Sequence, residues 1–270
     1  MVGRCRRIFG QRKVGHGGTL DPDATGVLLV GLGRATRLLR FLTALPKSYV
    51  GEVVLGVETS TLDAAGKVVA TSDLSGVGVA EARAAAAAFV GDILQVPPMV
   101  SAVKVGGRRL HELARAGVEV ERAARPVTVH RFGVAAGPEP GVLAVEVDCT
   151  SGTYVRTLAA DLGTALGGGA HLRNLRRTAI GSFTLADAHS LDTLDGGDVL
   201  SPAETLRDYP RVVVDAEAAA AVGYGRTLDP TGWPETNGSW AVVDGGGELL
   251  AVYEAGADGR ARPCVVLAPR

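Results

Sequence analysis

The sequence is poor in cysteine, in aromatic residues and in long apolar runs. Its three cysteines, Cys5, Cys149 and Cys264, are widely spaced and form no CxxC pair, which excludes a disulfide framework and argues against a zinc site. Aromatic residues make up only 4% of the chain, too few for an extended base-stacking platform. The longest apolar stretch, residues 27–32, is too short to cross a bilayer, and the basic N-terminus lacks the apolar segment of a secretory signal. We therefore expect a cytoplasmic protein that does not contact a membrane.

Charge is unevenly distributed along the chain. The 270 residues carry 28 Lys or Arg against 29 Asp or Glu, a net charge of −1, and 46% of them are hydrophobic, enough to bury a core. Residues 1–50 hold nine basic and two acidic residues, a net charge of +7, whereas the other 220 residues hold 19 basic and 27 acidic ones. Such asymmetry indicates an anionic partner for the basic end.

Helix and strand patterns are interleaved without a regular β-α-β alternation, which favours an α+β fold with a mixed sheet. Helices are predicted at residues 35–45, 79–90 and 155–166. Strands are predicted at residues 48–58, 127–135 and 142–148, with 180–185 as the last strand of the core. A turn-rich stretch then precedes one more helix pattern and several short strands, so we predict domains at residues 1–210 and 211–270.

The most unusual stretch, residues 15–26, holds four glycines, a proline, a histidine and two aspartates. A surface turn is the simplest interpretation. A calcium loop starting at Asp21 is excluded because Leu32 stands where the loop needs an acidic residue. The chain has no G-x-S-x-G elbow to accompany an esterase oxyanion segment and no Gly-Lys-Ser/Thr of a phosphate-binding loop.

A further interpretation comes from a family resemblance. Residues 15–28, GHGGTLDPDATGVL, resemble almost residue for residue the catalytic motif of the TruB family of tRNA pseudouridine synthases. Further segments match in the family's order, at residues 33–37, 47–49, 96–104, 125–127, 151–158 and 169–178. The resemblance covers about residues 2–210, and its motifs are long and specific.

The resemblance implies conversion of uridine 55 in the T loop of tRNA to pseudouridine. That isomerisation needs no nicotinamide, ATP, metal or other cofactor. It also implies a core with a mixed, mainly antiparallel sheet and flanking helices, acting as a monomer on the T-arm. Residues 211–270 resemble, more weakly, a PUA-like RNA-binding domain, a match that rests on position, size and the Gly-Tyr-Gly-Arg segment at 223–226.

The matching positions imply roles for individual residues. Asp21 would be the nucleophile, and Arg156 would pair with it, because an adjacent cation keeps a carboxylate ionised in a dry pocket. Tyr49 would stack on the flipped base and assist proton removal. The remaining substrate contacts would be made by His16, which would fill the vacated stack or contact the loop, by Tyr154 and Leu175 lining the pocket, and by Lys104, Arg173, Arg176 and Arg177 as RNA contacts or cations that support the core.

The chain departs from the family pattern at its N-terminus. It begins inside what resembles the family's first helix, without the preceding strand and its Asp-Lys-Pro segment, so we expect a longer native form. Two other functions stay open: a non-catalytic tRNA-binding folding chaperone, and a synthase that depends on a guide RNA.

Overall fold

A computed structural model describes residues 1–101, 103–236 and 238–267 of the chain. The α-helices are α1 (Val2–Ile8), α2 (Leu39–Ala44), α3 (Val79–Ala87), α4 (Leu110–Arg115), α5 (Val155–Ala165) and α6 (Ala216–Gly223). The strands are β1 (Val14–Gly17), β2 (Thr25–Gly26), β3 (Leu29–Leu32), β4 (Lys47–Leu55), β5 (Val57–Thr59), β6 (Val68–Thr71), β7 (Gly91–Gln95), β8 (Lys104–Val105), β9 (Arg108–Arg109), β10 (Arg125–Ala136), β11 (Val142–Cys149), β12 (Ala170–Ile180), β13 (Phe183–Thr184), β14 (Arg211–Val213), β15 (Ser239–Val243), β16 (Leu249–Ala255) and β17 (Ala261–Val266). Within these described ranges, no helix is long and apolar enough to cross a membrane.

The chain divides into two compact units. The central-sheet unit comprises Leu20–Val27 and Ala44–Ala186, and the terminal unit comprises Met1–Thr19, Leu28–Thr43 and the described residues from Asp187 onward. Both units are discontinuous in sequence. The sequence-based division at residues 210 and 211 stays a prediction.

The central-sheet unit is built on a mixed sheet with strand order β13-β12-β4-β11-β10-β7. Neighbours along this order run antiparallel, while the short β2 pairs parallel to β12. Strands β4 and β11 contribute alternate apolar residues to the core, as their period-two pattern predicts. The predicted α+β fold with a mixed, mainly antiparallel sheet is confirmed.

Helix α5 covers this sheet and carries the first residues of the site. It buries Val155, Leu158, Ala159 and Leu162, which recur at helical spacing and pack with β4, β11 and β12 residues in one hydrophobic core. Gly163 lets the helix approach β12 closely, because a Cβ there would lie 2.5 Å from the Ala170 amide nitrogen. This close contact sets the distance between the helix and the sheet.

The predicted last strand at residues 180–185 is wrong in its placement. The strand next to β4 is β12, which ends at Ile180; Gly181 turns with φ +53°, and β13 adds two residues. Residues 173–177 hold three arginines and an asparagine, a composition typical of an exposed segment. The strand forms because two of these arginines find partners within the unit, as described for the site below.

The terminal unit contains two smaller sheets. Strands β1 and β3 form an antiparallel pair in which His16 lies opposite Val30. Strands β14 to β17 form a four-stranded sheet in sequence order, and α6 contributes Val222 to its core with Trp240, Val242 and Tyr253. The predicted helix over residues 35–45 is broken, since Gly33–Arg37 is a 3₁₀ turn and α2 begins only at Leu39.

At Gly26 the backbones of β2 and β12 lie too close together for a side chain at that position. The φ of this glycine is +101°, and a Cβ would lie 2.0 Å from the Arg177 carbonyl oxygen, which also accepts the Val27 amide at 2.9 Å. We expect Gly26→Ala to lower the free energy of unfolding by roughly 2–5 kcal/mol, because the substitution adds both backbone strain and a clash with backbone. Urea unfolding measures the change.

Gly76→Ala is the matched control for that substitution. Gly76 has no heavy atom within 4 Å of its Cβ position, so we expect a change within about 0.5 kcal/mol. Equal stability losses in the two variants would contradict the close approach of β2 to β12.

Candidate active site

Asp21 lies in the turn that precedes β2. The Asp21 carbonyl accepts the Ala24 amide at 3.0 Å, which closes the turn, and the pairing of Thr25 and Gly26 with Arg176 and Arg177 holds the turn against β12. The side chain of Asp21 is 35% exposed. One of its faces is therefore accessible to a substrate, while the other meets protein.

Arg156 is the protein group that Asp21 meets. It is the second residue of α5, and its side chain is only 3% exposed. Its Nη2 donates to Asp21 Oδ1 at 2.9 Å and to the Val100 carbonyl at 2.8 Å. Its Nη1 donates to the Thr61 carbonyl at 2.8 Å and lies 3.3 Å from Asp63 Oδ2. Three separate segments thus hold one buried guanidinium in a single orientation.

Asp63 is a member of this cluster that the sequence reasoning missed. It pairs with Leu172 of β12 in an isolated bridge, in which the Leu62 carbonyl accepts the Leu172 amide and the Leu172 carbonyl accepts the Ala64 amide, both at 3.0 Å. Leu62 adopts φ +62°, uncommon for a branched residue. The backbone therefore fixes the direction of the Asp63 side chain. No local motif marks it, because its partner Arg156 is distant in sequence.

The pKa of the Asp21 carboxyl is raised above its usual value. Burial is the main cause, and the nearby carboxylates of Asp63 and Asp23 act in the same direction. The charge and the hydrogen bond of Arg156 oppose these effects. Arg156 therefore favours the ionised form of a desolvated carboxylate, although it does not fully cancel the effect of burial.

Tyr49 lies on β4 close enough to Asp21 for the two groups to affect each other electrostatically. It is half-buried, pairs with Arg177 across the strands and packs against the core. Burial raises the pKa of its phenol, while the hydrogen-bonded Arg177 lowers it in part. The hydroxyl is consequently protonated at neutral pH.

Arg177 is a core residue. Its side chain is 1% exposed, and its Nε donates to the Val27 carbonyl at 2.8 Å. Since it also hydrogen-bonds to Tyr49, it ties the end of the Asp21 loop to the strand that carries the phenol. Of its two predicted roles, the structure supports that of a cation within the core.

The other predicted substrate residues fall into three groups. Tyr154 and Leu175 are half-buried in the central-sheet unit, Tyr154 just before α5 and Leu175 against the hydrophobic core. Lys104 and Arg176 are exposed in the same unit. His16 is exposed on β1 of the terminal unit.

Arg173 has partners within the protein. Its Nε donates to Glu52 Oε2 at 2.6 Å and its Nη2 to Glu139 Oε1 at 2.7 Å, and both carboxylates raise the pKa of its guanidinium. These bonds join β12 to β4 and to the turn before β11. They explain how a charged residue is accommodated within a central strand.

Lys104 belongs to a basic hairpin that the sequence analysis did not recognise as a unit. Strands β8 and β9 pair Lys104 with Arg109 and Val105 with Arg108, around a turn of two glycines with positive φ. All three basic side chains are exposed. The sequence Lys-Val-Gly-Gly-Arg-Arg at residues 104–109 could have predicted this hairpin, because it places basic residues on both sides of a Gly-Gly turn.

The cluster brings together a partly exposed carboxylate, a buried guanidinium and a protonated phenol. Such a set can form and break a bond at carbon and move a proton without an oxidant or a bound metal. Across the described residues, no group of three His, Cys, Asp or Glu side chains could hold a metal ion.

Comparisons with known proteins agree with this chemistry. A family model described as "TruB family pseudouridylate synthase (N terminal domain)" matches residues 6–155. Models described as "tRNA pseudouridylate synthase B C-terminal domain" and "tRNA Pseudouridine synthase II, C terminal" match residues 156–219 and 209–268. Curated proteins named tRNA pseudouridine synthase B are 48% identical to the chain, in Nocardia farcinica over 100% of this chain and 89% of the relative, and in Rhodococcus jostii over 94% and 85%.

Solved structures are similar over all or most of the chain. One described as "Structure of H/ACA RNP bound to a substrate RNA containing 2'-deoxyuridine" has a TM-score of 0.74 and 24% identity, covering 100% of this chain and 80% of that one. Another, "Crystal Structure of a Cbf5-Nop10-Gar1 Complex", has a TM-score of 0.69 and 27% identity, covering 94% and 73%.

The shared guanidinium leads to a test at Asp63. We expect Asp63→Asn to lower the pKa of Asp21, because the substitution removes a carboxylate that raises it and leaves Arg156 with one charged partner. Asparagine keeps the Oδ1 acceptor that Thr61 and the Ala65 amide use. Carbon-13 NMR titration of labelled aspartates measures the change, with Asp21→Asn assigning the resonance.

Asp73→Asn serves as the control, since Asp73 is an exposed aspartate whose partner is Ser75. It should leave the pKa of Asp21 unchanged. A pKa of Asp21 that stays the same or rises in Asp63→Asn would show that the two carboxylates are not coupled through Arg156.

Proposed function

Because the chain belongs to the TruB family of pseudouridylate synthases and is a tRNA pseudouridine synthase, we propose that it isomerises uridine 55 in the T loop, with Asp21 as the nucleophile. The observation that carries the proposal is the contact of 2.9 Å between the partly exposed Asp21 carboxylate and the buried Arg156 guanidinium. This is the pairing that the family motif implies.

The reaction is an internal rearrangement. The bond from N1 of uracil to C1′ of the ribose breaks, the base turns, and a bond from C5 to C1′ forms. The proton on C5 is lost and N1 gains one, so atoms and electrons balance without a co-reactant. A covalent adduct of Asp21 with the sugar or the base divides this change into easier steps.

Tyr49 is the residue proposed to receive the flipped base. A base within a folded RNA loop reaches an enzyme's reactive group only after it leaves its stack. The half-buried ring of Tyr49 lies near Asp21, which supports its proposed role as a stacking surface. The proposed role of its hydroxyl is to assist removal of the C5 proton. Tyr154 and Leu175 are proposed to line the same pocket.

RNA affinity is assigned to exposed cations. Lys104, Arg108 and Arg109 on the β8–β9 hairpin and Arg176 on β12 are exposed, as phosphate contacts require. His16 is proposed to contact the T loop. For Arg173 the proposed role is to stabilise β12, because both of its hydrogen-bonded partners are carboxylates of the protein.

The wider proposals follow from the substrate. We propose that residues 211–270 form a second RNA-binding domain and that the protein acts as a monomer on the T-arm in the cytoplasm, where tRNA is its substrate. A non-catalytic tRNA chaperone and a guide-dependent synthase are the alternatives that the following experiment separates.

The assignment of Asp21 is tested on unmodified tRNA transcript without guide RNA. The wild-type protein should form pseudouridine at position 55, and Asp21→Asn should form none while still binding tRNA, because phosphate contacts dominate affinity. Chemical mapping of pseudouridine and filter binding give the two readouts.

Asp23→Asn is the matched control, since Asp23 is exposed two residues away, and it should remain active. Turnover by Asp21→Asn would refute the nucleophile. Binding without product in the wild type would support the chaperone, and product only with added guide would support the guide-dependent enzyme.

Arg156→Lys tests the geometry of the ion pair. An ammonium group cannot reach the four acceptors that the planar guanidinium contacts at once, so we expect kcat to fall about 10²-fold or more as Asp21 loses its orientation. Arg131→Lys, at an exposed pair with Glu146, should retain wild-type kcat. A wild-type rate for Arg156→Lys would show that the charge alone suffices.

A further inference from the structure

Gln95 makes a two-bond contact with the start of helix α5. It is the last residue of β7 and is only 3% exposed. Both the oxygen and the nitrogen of its side-chain amide form hydrogen bonds. Its Oε1 accepts the Tyr154 amide at 2.7 Å, and its Nε2 donates to the Tyr154 carbonyl at 3.1 Å. The buried Gln95 side chain thereby bonds to both backbone polar groups of Tyr154, the amide and the carbonyl.

Tyr154 is the residue at which α5 begins. It has extended dihedral angles, φ −102° and ψ 105°, and its carbonyl also accepts the amides of Thr157 and Leu158. Its own amide precedes the helix and has no partner within it. By supplying that partner, Gln95 fixes the position and direction of the first turn, and Arg156 lies in this turn.

The chain after Gln95 provides a second connection to the same arginine. Pro97 and Pro98 restrict the backbone beyond β7, and Val100 then offers its carbonyl to Arg156 Nη2 at 2.8 Å. The Gln95 side chain therefore fixes the position of α5, which carries the Arg156 guanidinium, relative to the segment after β7, which contains the Val100 carbonyl. A substitution at Gln95 would therefore affect both the donor Arg156 and the acceptor Val100 of this hydrogen bond.

We propose that Gln95 is a positioning residue for catalysis, whose amide fixes the start of α5 so that Arg156 meets Asp21 in the reactive geometry. The proposal rests on the proposed function for its catalytic consequence. Gln95 does not itself reach Asp21. It acts through Tyr154 and Arg156, and it lies one residue before the segment at residues 96–104 on which the family resemblance rests.

The consequence is measurable at Asp21. The charged groups that face Asp21 are Arg156 from α5, Asp63 from its loop and Asp23 from the same turn. Of these only Arg156 favours the ionised form, so a displaced Arg156 raises the pKa of Asp21. The ionised nucleophile then appears at higher pH, and the acid limb of the rate profile moves upward.

The experiment compares Gln95→Met and Gln95→Glu with the wild type. Methionine removes both hydrogen bonds at similar volume, and we expect kcat to fall about 10²-fold, KM to stay within about twofold because no RNA contact is removed, and the pKa of Asp21 to rise. Protonated glutamic acid can make both bonds, so Gln95→Glu should retain more activity than Gln95→Met. Single-turnover rates against pH and carbon-13 NMR of labelled aspartates give the readouts.

Two controls separate positioning from general instability. Gln11→Met changes the other glutamine of the chain, which is exposed, and should behave as the wild type. Val134→Ala removes core volume in β10 of the same sheet; it should lower the melting temperature without moving the acid limb, which does not depend on the fraction of folded protein.

Several results would overturn the inference. An unmoved acid limb and an unchanged pKa of Asp21 in folded Gln95→Met would do so, as would failure of both Gln95 variants to fold, which would assign Gln95 to folding alone. If the wild type forms no pseudouridine, the proposed function fails, yet the pKa of Asp21 in the wild type and in Gln95→Met still decides the positioning role.

Discussion

The buried guanidinium of Arg156 is the constraint on which the site depends. A cation removed from water is costly unless its charge is compensated and it forms hydrogen bonds within the protein. Two carboxylates and two carbonyls surround the two Nη groups of Arg156, and they come from the Asp21 turn, the Thr61–Asp63 loop and the segment after β7. Its Nε has no hydrogen-bond partner among the described residues. Each segment is irregular on its own. Their common orientation toward one side chain brings Asp21, Thr61, Asp63 and Val100 together.

Sequence reasoning paired Asp21 with Arg156 but did not identify the residues that hold this pair in place. Asp21 and Arg156 lie in long motifs, so the resemblance found them. Asp63 and Gln95 act through contacts between segments far apart in sequence, and a contact of that kind leaves no local pattern. Strand β12 was missed for a related reason, because Arg173 and Arg177 are compensated by Glu52, Glu139 and Tyr49, whose proximity only the folded chain reveals.

Several cations of the basic segment at residues 1–50 contact groups within the protein, so its net charge overstates the charge available to an anionic partner. Arg34 donates to the Leu267 carbonyl, Arg37 donates to the Val266 carbonyl, and Arg40 Nη2 lies 3.8 Å from Glu254 Oε1. Part of the +7 charge is therefore engaged within the terminal unit, where it stabilises the packing of β17. The exposed cations of the β8–β9 hairpin lie outside that segment. A charge count located the asymmetry correctly but could not distinguish internal from external partners.

The sequence distances within the Arg156 cluster determine when the site can form during synthesis. Arg156 bonds to groups 135, 95 and 56 residues earlier in the chain. A nascent chain that ends before α5 has every acceptor in place but no donor, and closing loops of this length makes such contacts slow to form. The contacts of Arg156 therefore form only after α5 has been synthesised, and an incompletely made chain carries the Asp21 carboxylate without the guanidinium that pairs with it.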